Sequence, residues 1–344
     1  MARKKNNSSV ILIAVIAVVL IGGFFLYKSG VLGGKETKKI TVYSIFQEEE
    51  ARKILDKFKE ETGIDYDILR LPSGEAVARV QNEAGNPQAD FLMGGPADSH
   101  EVLKQAGVLE AYVSPNASDI AANHKDADGF WTGFYLNPIA IGVNEERWKT
   151  IYGDDPYPQT FEELLDPKYK GEIGMSDPAT SGTAYTAVAS LAQVWGKDKM
   201  LEYIGQLLPN LKERPKSGIE PIQKAANGEY AIGVTFLGDQ LKIKAKGNPI
   251  VSVVPENAGY EVGALSIVKG GPNTEAAKQL MDYMLTEEPG SIYTSSAFSV
   301  SVKPTVPVPD GGIDIKETNY NVNYDLWKAA ADRKDLQDAL KDLK

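Results

Sequence analysis

Ile40-Thr-Val-Tyr-Ser-Ile-Phe46, then Glu48 to Glu60, then Ile64-Asp-Tyr-Asp-Ile-Leu69: this stretch decides the fold class. The first run is apolar and β-branched, which predicts a strand. The second places Ala51, Ile54, Leu55 and Phe58 on one helical face, with Glu48, Glu49 and Glu50 in a solvated first turn. Gly63 stops that helix, and Ile64–Leu69 is a second strand. The unit then repeats. Pro72-Ser73-Gly74 is a turn, Glu75–Ala84 a helix with Val77, Val80 and Ala84 aligned, and Asp90–Met93 a strand running into Gly94-Gly95-Pro96. Ser99 is expected to cap the next helix, and Gly107 to close it. Such alternation predicts an α/β protein with a mostly parallel sheet flanked by helices.

A second stretch carries the functional expectation. Ser176-Asp-Pro-Ala-Thr-Ser-Gly-Thr-Ala-Tyr185 follows a short strand signal at Glu172–Met175 and precedes the apolar run Ala184–Trp195. Thr180, Ser181, Gly182 and Thr183 therefore stand where a loop becomes a helix. That end of a helix presents unpaired N–H groups and partial positive charge. Hydroxyls and a glycine there suit an anion such as a phosphoryl or carboxylate group. Ser181 or Thr183 acting as a helix cap is the simpler alternative. In open α/β sheets ligands sit at the carboxyl ends of strands. The loops Tyr43–Gln47, Leu71–Glu75 and Gly94–Ser99 occupy such positions.

The chain has 344 residues, enough for two domains, and a net charge of −10. That charge disfavours nucleic acid or an anionic membrane surface as main partner. With no cysteine and two histidines, thiolate and histidine-rich metal sites are excluded. Both histidines, His100 and His124, lie in polar surroundings and read as exposed. No metalloprotease helix, nucleophile elbow, P-loop or dinucleotide fingerprint is present, so no enzyme and no cofactor are expected.

Met1-Ala-Arg-Lys-Lys5 precedes an uncharged run, Ser8–Tyr27. As a helix it would span roughly 30 Å, so residues 1–38 read as a transmembrane anchor or export signal plus tether. The body would then lie outside the cytoplasm. Gly133–Asn144, a long β-like segment, is expected to cross between lobes, and Tyr260–Lys269 to return. Tyr324–Lys344 predicts an amphipathic closing helix.

Taken together, several segments resemble the extracellular solute-binding proteins of ABC importers, in the branch that includes ferric-ion, phosphonate and sugar-phosphate binders. They are the opening strand and helix through Gly63-Ile64; Ser73-Gly74-Glu75 with Ala78-Arg79-Val80; Asp90-Phe-Leu-Met-Gly-Gly95; Asn137-Pro138 before Val143-Asn144; Asp177-Pro178 with Ser181-Gly-Thr-Ala184; and Gly259-Tyr-Glu-Val-Gly-Ala264. The resemblance covers Lys39–Lys344. It implies a two-lobed periplasmic-binding-protein-like fold of type II, each lobe a mostly parallel sheet, joined by crossing segments. Residues 39–137 with 264–309 would form one lobe and 138–263 with 310–344 the other. It further implies a monomeric body that captures a small solute in the cleft and delivers it to a membrane permease.

The ferric-ion members typically use two adjacent tyrosines with a carboxylate or histidine. This chain has no Tyr-Tyr pair. Tyr43 and Glu75 are the oxygens left for that alternative, since hard oxygen ligands suit the ferric ion. The sugar-phosphate and phosphonate binders resemble it more closely. Under that reading Ser44, Ser73, Gly74, Ser181, Gly182 and Thr183 hold phosphoryl oxygens, with Glu75, Gly95 and Thr180 beside them. Asp239 and Glu261 accept from hydroxyls or pair with an amine, unless Asp239 only caps a helix and Glu261 is a solvated strand charge. Phe46 or Tyr135 would stack on a sugar ring.

Overall fold

The computed structural model describes residues 39–312 and 314–343. The expected anchor, residues 1–38, lies outside them; among the described residues no helix is long and apolar enough to cross a membrane. The strands are β1 (Lys39–Ser44), β2 (Asp65–Arg70), β3 (Phe91–Pro96), β4 (Leu109–Glu110), β5 (Thr132–Asn144), β6 (Ile173–Met175), β7 (Leu211–Glu213), β8 (Ile232–Phe236), β9 (Ile250–Val253), β10 (Tyr260–Val268) and β11 (Val300–Ser301). The α-helices are α1 (Glu48–Thr62), α2 (Ser73–Asn82), α3 (Ala97–Gln105), α4 (Glu145–Tyr152), α5 (Gly182–Trp195), α6 (Lys197–Leu207), α7 (Glu220–Ala226), α8 (Leu237–Ala245), α9 (Thr274–Met284), α10 (Glu287–Ala297) and α11 (Leu326–Lys341).

Hydrogen bonding sorts the strands into two groups that share β5. The first runs β2-β1-β3-β10-β5, and the second runs β5-β8-β6-β7. Within β5, Thr132 to Pro138 pair with β10, whereas Ile139 to Asn144 pair with β8 and β9. The change of partner falls at Pro138, which has no N–H to give to either ladder. The returning strand β10 already pairs in the first group from Tyr260.

The sheet is mixed rather than mostly parallel, which corrects the expectation. β1 is parallel to β2 and β3, and β6 is parallel to β7 and β8. β5 and β10, the strands that connect the halves, run antiparallel to their neighbours. A strand arriving from the opposite half enters from the opposite end, and no local sequence pattern records that.

Helix α1 forms as its sequence dictates. Ala51, Ile54, Leu55 and Phe58 are buried, and Gly63 closes the helix at φ 71° with its N–H on Lys59 O. Helix α5 is different in kind: it is alanine-rich, and Gly182 to Leu191 are all buried. It packs beside β3, β5, β8 and β10, so both strand groups meet it. The closing helix α11 packs on α3, α5 and α6. Its buried Arg333 pairs with buried Asp98 of α3 and donates to Ser99 Oγ at 3.1 Å. The guanidinium also lies 4.3 Å from the Tyr185 ring centroid of α5. Ser99 is thus a partner of α11, not the cap of α3, which begins at Ala97 after Pro96.

Candidate functional site

Strand ends and helix starts from both groups converge on one cavity. It is lined by Phe46, Glu50, Arg70, Ser73, Gly95, Tyr135, Asn137, Ser181, Gly182, Thr183, Gly218, Asp239, Lys242, Glu261 and Ser299, among others. The carboxyl ends of β1, β2, β3 and β8 feed it, as parallel α/β topology dictates. Gly94 and Gly95 turn the end of β3 with φ of 79° and 82°. A β-carbon on Gly94 would meet Phe46 Cβ at 2.6 Å, so only glycine lets β1 and β3 close here.

Seven of the expected residues line the cavity: Ser73, Gly95, Ser181, Gly182, Thr183, Asp239 and Glu261. Ser181 also caps α5, accepting from Ala184 N at 3.3 Å. The cap and the lining position coexist in one hydroxyl. Four others do not line it. Ser44 is fully buried and donates to Phe46 O at 2.8 Å. The Gly74 N–H is taken by Thr180 O at 2.9 Å. Glu75 reaches outward to Lys216 at 3.4 Å. The Thr180 hydroxyl faces the carbonyls of Asp177 and Lys216, each at 3.3 Å. Tyr43, the second oxygen of the ferric alternative, turns to the other side of its strand. Its hydroxyl donates to Glu83 Oε2 at 2.9 Å and accepts from Arg79 Nε at 2.9 Å. Phe46 and Tyr135 line the cavity, their rings 5.5 Å apart.

Three of these contacts join segments fed by different strand groups. Gly74 bonds Thr180, Arg70 Nη2 donates to Ser217 Oγ at 3.1 Å, and Lys242 of α8 pairs with Glu50 of α1. Packing there is close. A β-carbon on Gly182 would lie 2.4 Å from Ser73 Oγ, and one on Gly74 would lie 2.5 Å from Ala179 O. The cavity walls stand closed on one another.

The electrostatics are those of a water-poor polar pocket. Arg70 lines it with its Nε buried and unpartnered. Burial pushes the guanidinium pKa down, opposed by Asp239, Glu220 and Glu75. Burial raises the Asp239 carboxyl to about 7; Lys242 and Arg70 pull against this and Glu50 adds to it. Glu261 is pushed well above the usual carboxylate range, first by burial and then by Asp239. Tyr135 is raised likewise by burial and by Glu261. Burial thus disfavours the charged form of both acids.

Among the pocket residues that escaped the sequence reading are Arg70, Glu50, Lys242 and Asn137. Arg70 follows Leu69 at the carboxyl end of β2, a position that topology alone marks. Glu50 is fully buried, not solvated as expected. Its spacing carried a signal, because Glu50, Ile54 and Phe58 recur every four residues on one face. His100 is a further correction. It is fully buried, with Nδ1 2.7 Å from Ser266 Oγ and Nε2 3.0 Å from Gly94 O. Burial lowers its pKa to about 4, so it stays neutral under the β3 loop. His124 is partly buried.

A two-domain α/β body with a polar cleft, fed by strand ends from both halves and threaded by shared strands, is the architecture of the periplasmic binding proteins. The family described as bacterial extracellular solute-binding protein matches residues 86–325, and the chain belongs to it. The periplasmic binding protein AfuA from Actinobacillus pleuropneumoniae, solved with exogenous fructose-6-phosphate bound, matches with a TM-score of 0.86 at 33% identity, over 90% of this chain and 99% of that one. An uncharacterised protein of Haemophilus influenzae is 33% identical over 280 residues, 80% of this chain and 81% of its own. A Salmonella typhi periplasmic protein with a provisional assignment to 2-aminoethylphosphonate binding is 26% identical over 265 residues, 74% of each. This chain is accordingly an extracytoplasmic solute-binding protein of an ABC importer.

Proposed function

We propose that the cleft captures a small organic phosphate, a sugar phosphate or a phosphonate, and that closure of the two lobes presents it to the permease. The observation that carries this reading is Arg70. A half-buried guanidinium whose Nε is buried and unpartnered, beside the hydroxyls of Ser73, Ser181 and Thr183 and the N-terminus of α5, is a receptor for a compact anion. Asp239 and Glu261 accept hydrogen bonds from the remainder of the ligand. AfuA and the Salmonella typhi protein support the class of solute.

In this reading residues 39–137 with 264–309 form one lobe and 138–263 with 310–344 the other. Tyr43 and Glu75 both lie off the cavity, which favours the organic anion over ferric ion. The body works as a monomer, without a cofactor and without catalysis.

Calorimetric titration with fructose 6-phosphate, 2-aminoethylphosphonate, inorganic phosphate and ferric citrate tests this. Micromolar or tighter binding of at least one of the first two is expected. Binding of ferric citrate alone would overturn the reading.

A further inference from the structure

Glu50 has one oxygen engaged and one idle. It sits at the third position of α1, fully buried. One carboxylate oxygen meets the Lys242 ammonium of α8; Oε2 has no partner and is shut off from bulk water. Glu50, Lys242, Asp239 and Arg70 all line the same cavity. The other charged groups near the pair are Glu49 of α1, 3.9 Å from the Lys242 ammonium, and Lys246 of α8, 3.5 Å from Glu49. None of them supplies a donor to Oε2.

A buried carboxylate oxygen left unpaired is costly, and a ligand donor would relieve that cost. Lys242 already neutralises Glu50, so a neutral hydroxyl completes the site without adding charge. A second ammonium would meet Lys242. We propose that Glu50 is a specificity-determining residue that accepts a hydrogen bond from a hydroxyl on the polyol arm of a phosphorylated solute. Its ion pair with Lys242 joins the two lobes, so hydroxyl recognition and closure are coupled. The inference rests on the organic-phosphate reading and adds the polyol requirement to it.

The test uses the full chain and two probes: fructose 6-phosphate, and ethyl phosphate, a monoester without the hydroxyls. The wild type prefers the first. In Glu50→Gln the amide oxygen faces Lys242 and the N–H₂ stands where the ligand hydroxyl donated, so the hydroxyl must turn and accept, and a charge-assisted bond becomes a neutral one. Preference for fructose 6-phosphate falls about tenfold, the difference between those two kinds of hydrogen bond. Lys242→Met breaks the same ion pair but keeps the acceptor. It weakens both probes and leaves their ratio within about twofold. If Glu50→Gln fails to fold, Glu50→Asp keeps the charge while withdrawing the oxygen, and lowers the ratio in the same direction. An unchanged ratio in the Glu50 variants, or a wild type that binds both esters without preference, overturns the proposal. A wild type that binds neither ester but binds 2-aminoethylphosphonate overturns this inference alone; one that binds none of the three overturns the organic-phosphate reading with it.

Discussion

Replacing Arg70 by Leu should separate affinity from stability. The guanidinium has one side-chain hydrogen bond among the described residues, to Ser217 Oγ at 3.1 Å, and an unpartnered buried Nε. Its burial already disfavours the charged form. Leucine removes a half-buried, poorly satisfied cation, so the ligand-free melting temperature should hold or rise. Binding moves the other way. Two charge-assisted bonds to phosphoryl oxygens disappear, at about 1.5–3 kcal/mol each when fully realised. Such losses are not strictly additive, so the net loss is about 2–4 kcal/mol, roughly thirty- to a thousand-fold in Kd. Arg70→Lys keeps the charge but not the planar fork and should fall between. Calorimetry with fructose 6-phosphate, beside thermal melts of the ligand-free proteins, reads both quantities. Affinity retained within twofold would refute the role given to Arg70. So would a loss of affinity matched by a fall in melting temperature, because the effect would then be a damaged fold.

Three further outcomes follow from the packing and the charges. Gly74→Ala puts a methyl 2.5 Å from Ala179 O, a main-chain atom across the cleft. It should hold the lobes apart, weaken ligand by about tenfold and enlarge the radius of gyration of the liganded protein in small-angle scattering. Arg333→Met leaves Asp98 buried without its cation and should cost about 3–5 kcal/mol in urea unfolding. Asp239 has its folded pKa raised to about 7, so its protonated form is the one the fold favours. Its contribution is complete below the normal carboxylate range and is lost as pH rises towards 7; Asp239→Asn should flatten the urea midpoint between pH 4.5 and 8 relative to wild type.

The alternating strands and helices were legible because local periodicity sets them. The strand expected at Ile40–Phe46, which ends at Ser44, the Ala51/Ile54/Leu55/Phe58 face and the Gly63 stop all recur in the structure. The Ser181–Gly182 helix start was legible for the same reason. What stayed hidden depends on contacts distant in sequence. Glu50 meets Lys242 and Asp98 meets Arg333, and neither partner is marked by spacing along the chain. His100 reads as polar surface until β10 brings Ser266 against it. Gly74 looked like a ligand-binding N–H because its turn is typical of one; its real partner, Thr180 O, comes from the far side of the cleft.

The thirteen residues of β5 serve two sheets at once. Neither half can be excised as a module, since cutting at Pro138 strips one edge from each. New ligands must therefore come by changing side chains on a fixed frame, not by exchanging halves between paralogues. A chimera joined at that proline would have to match two ladders in register before it could hold any solute.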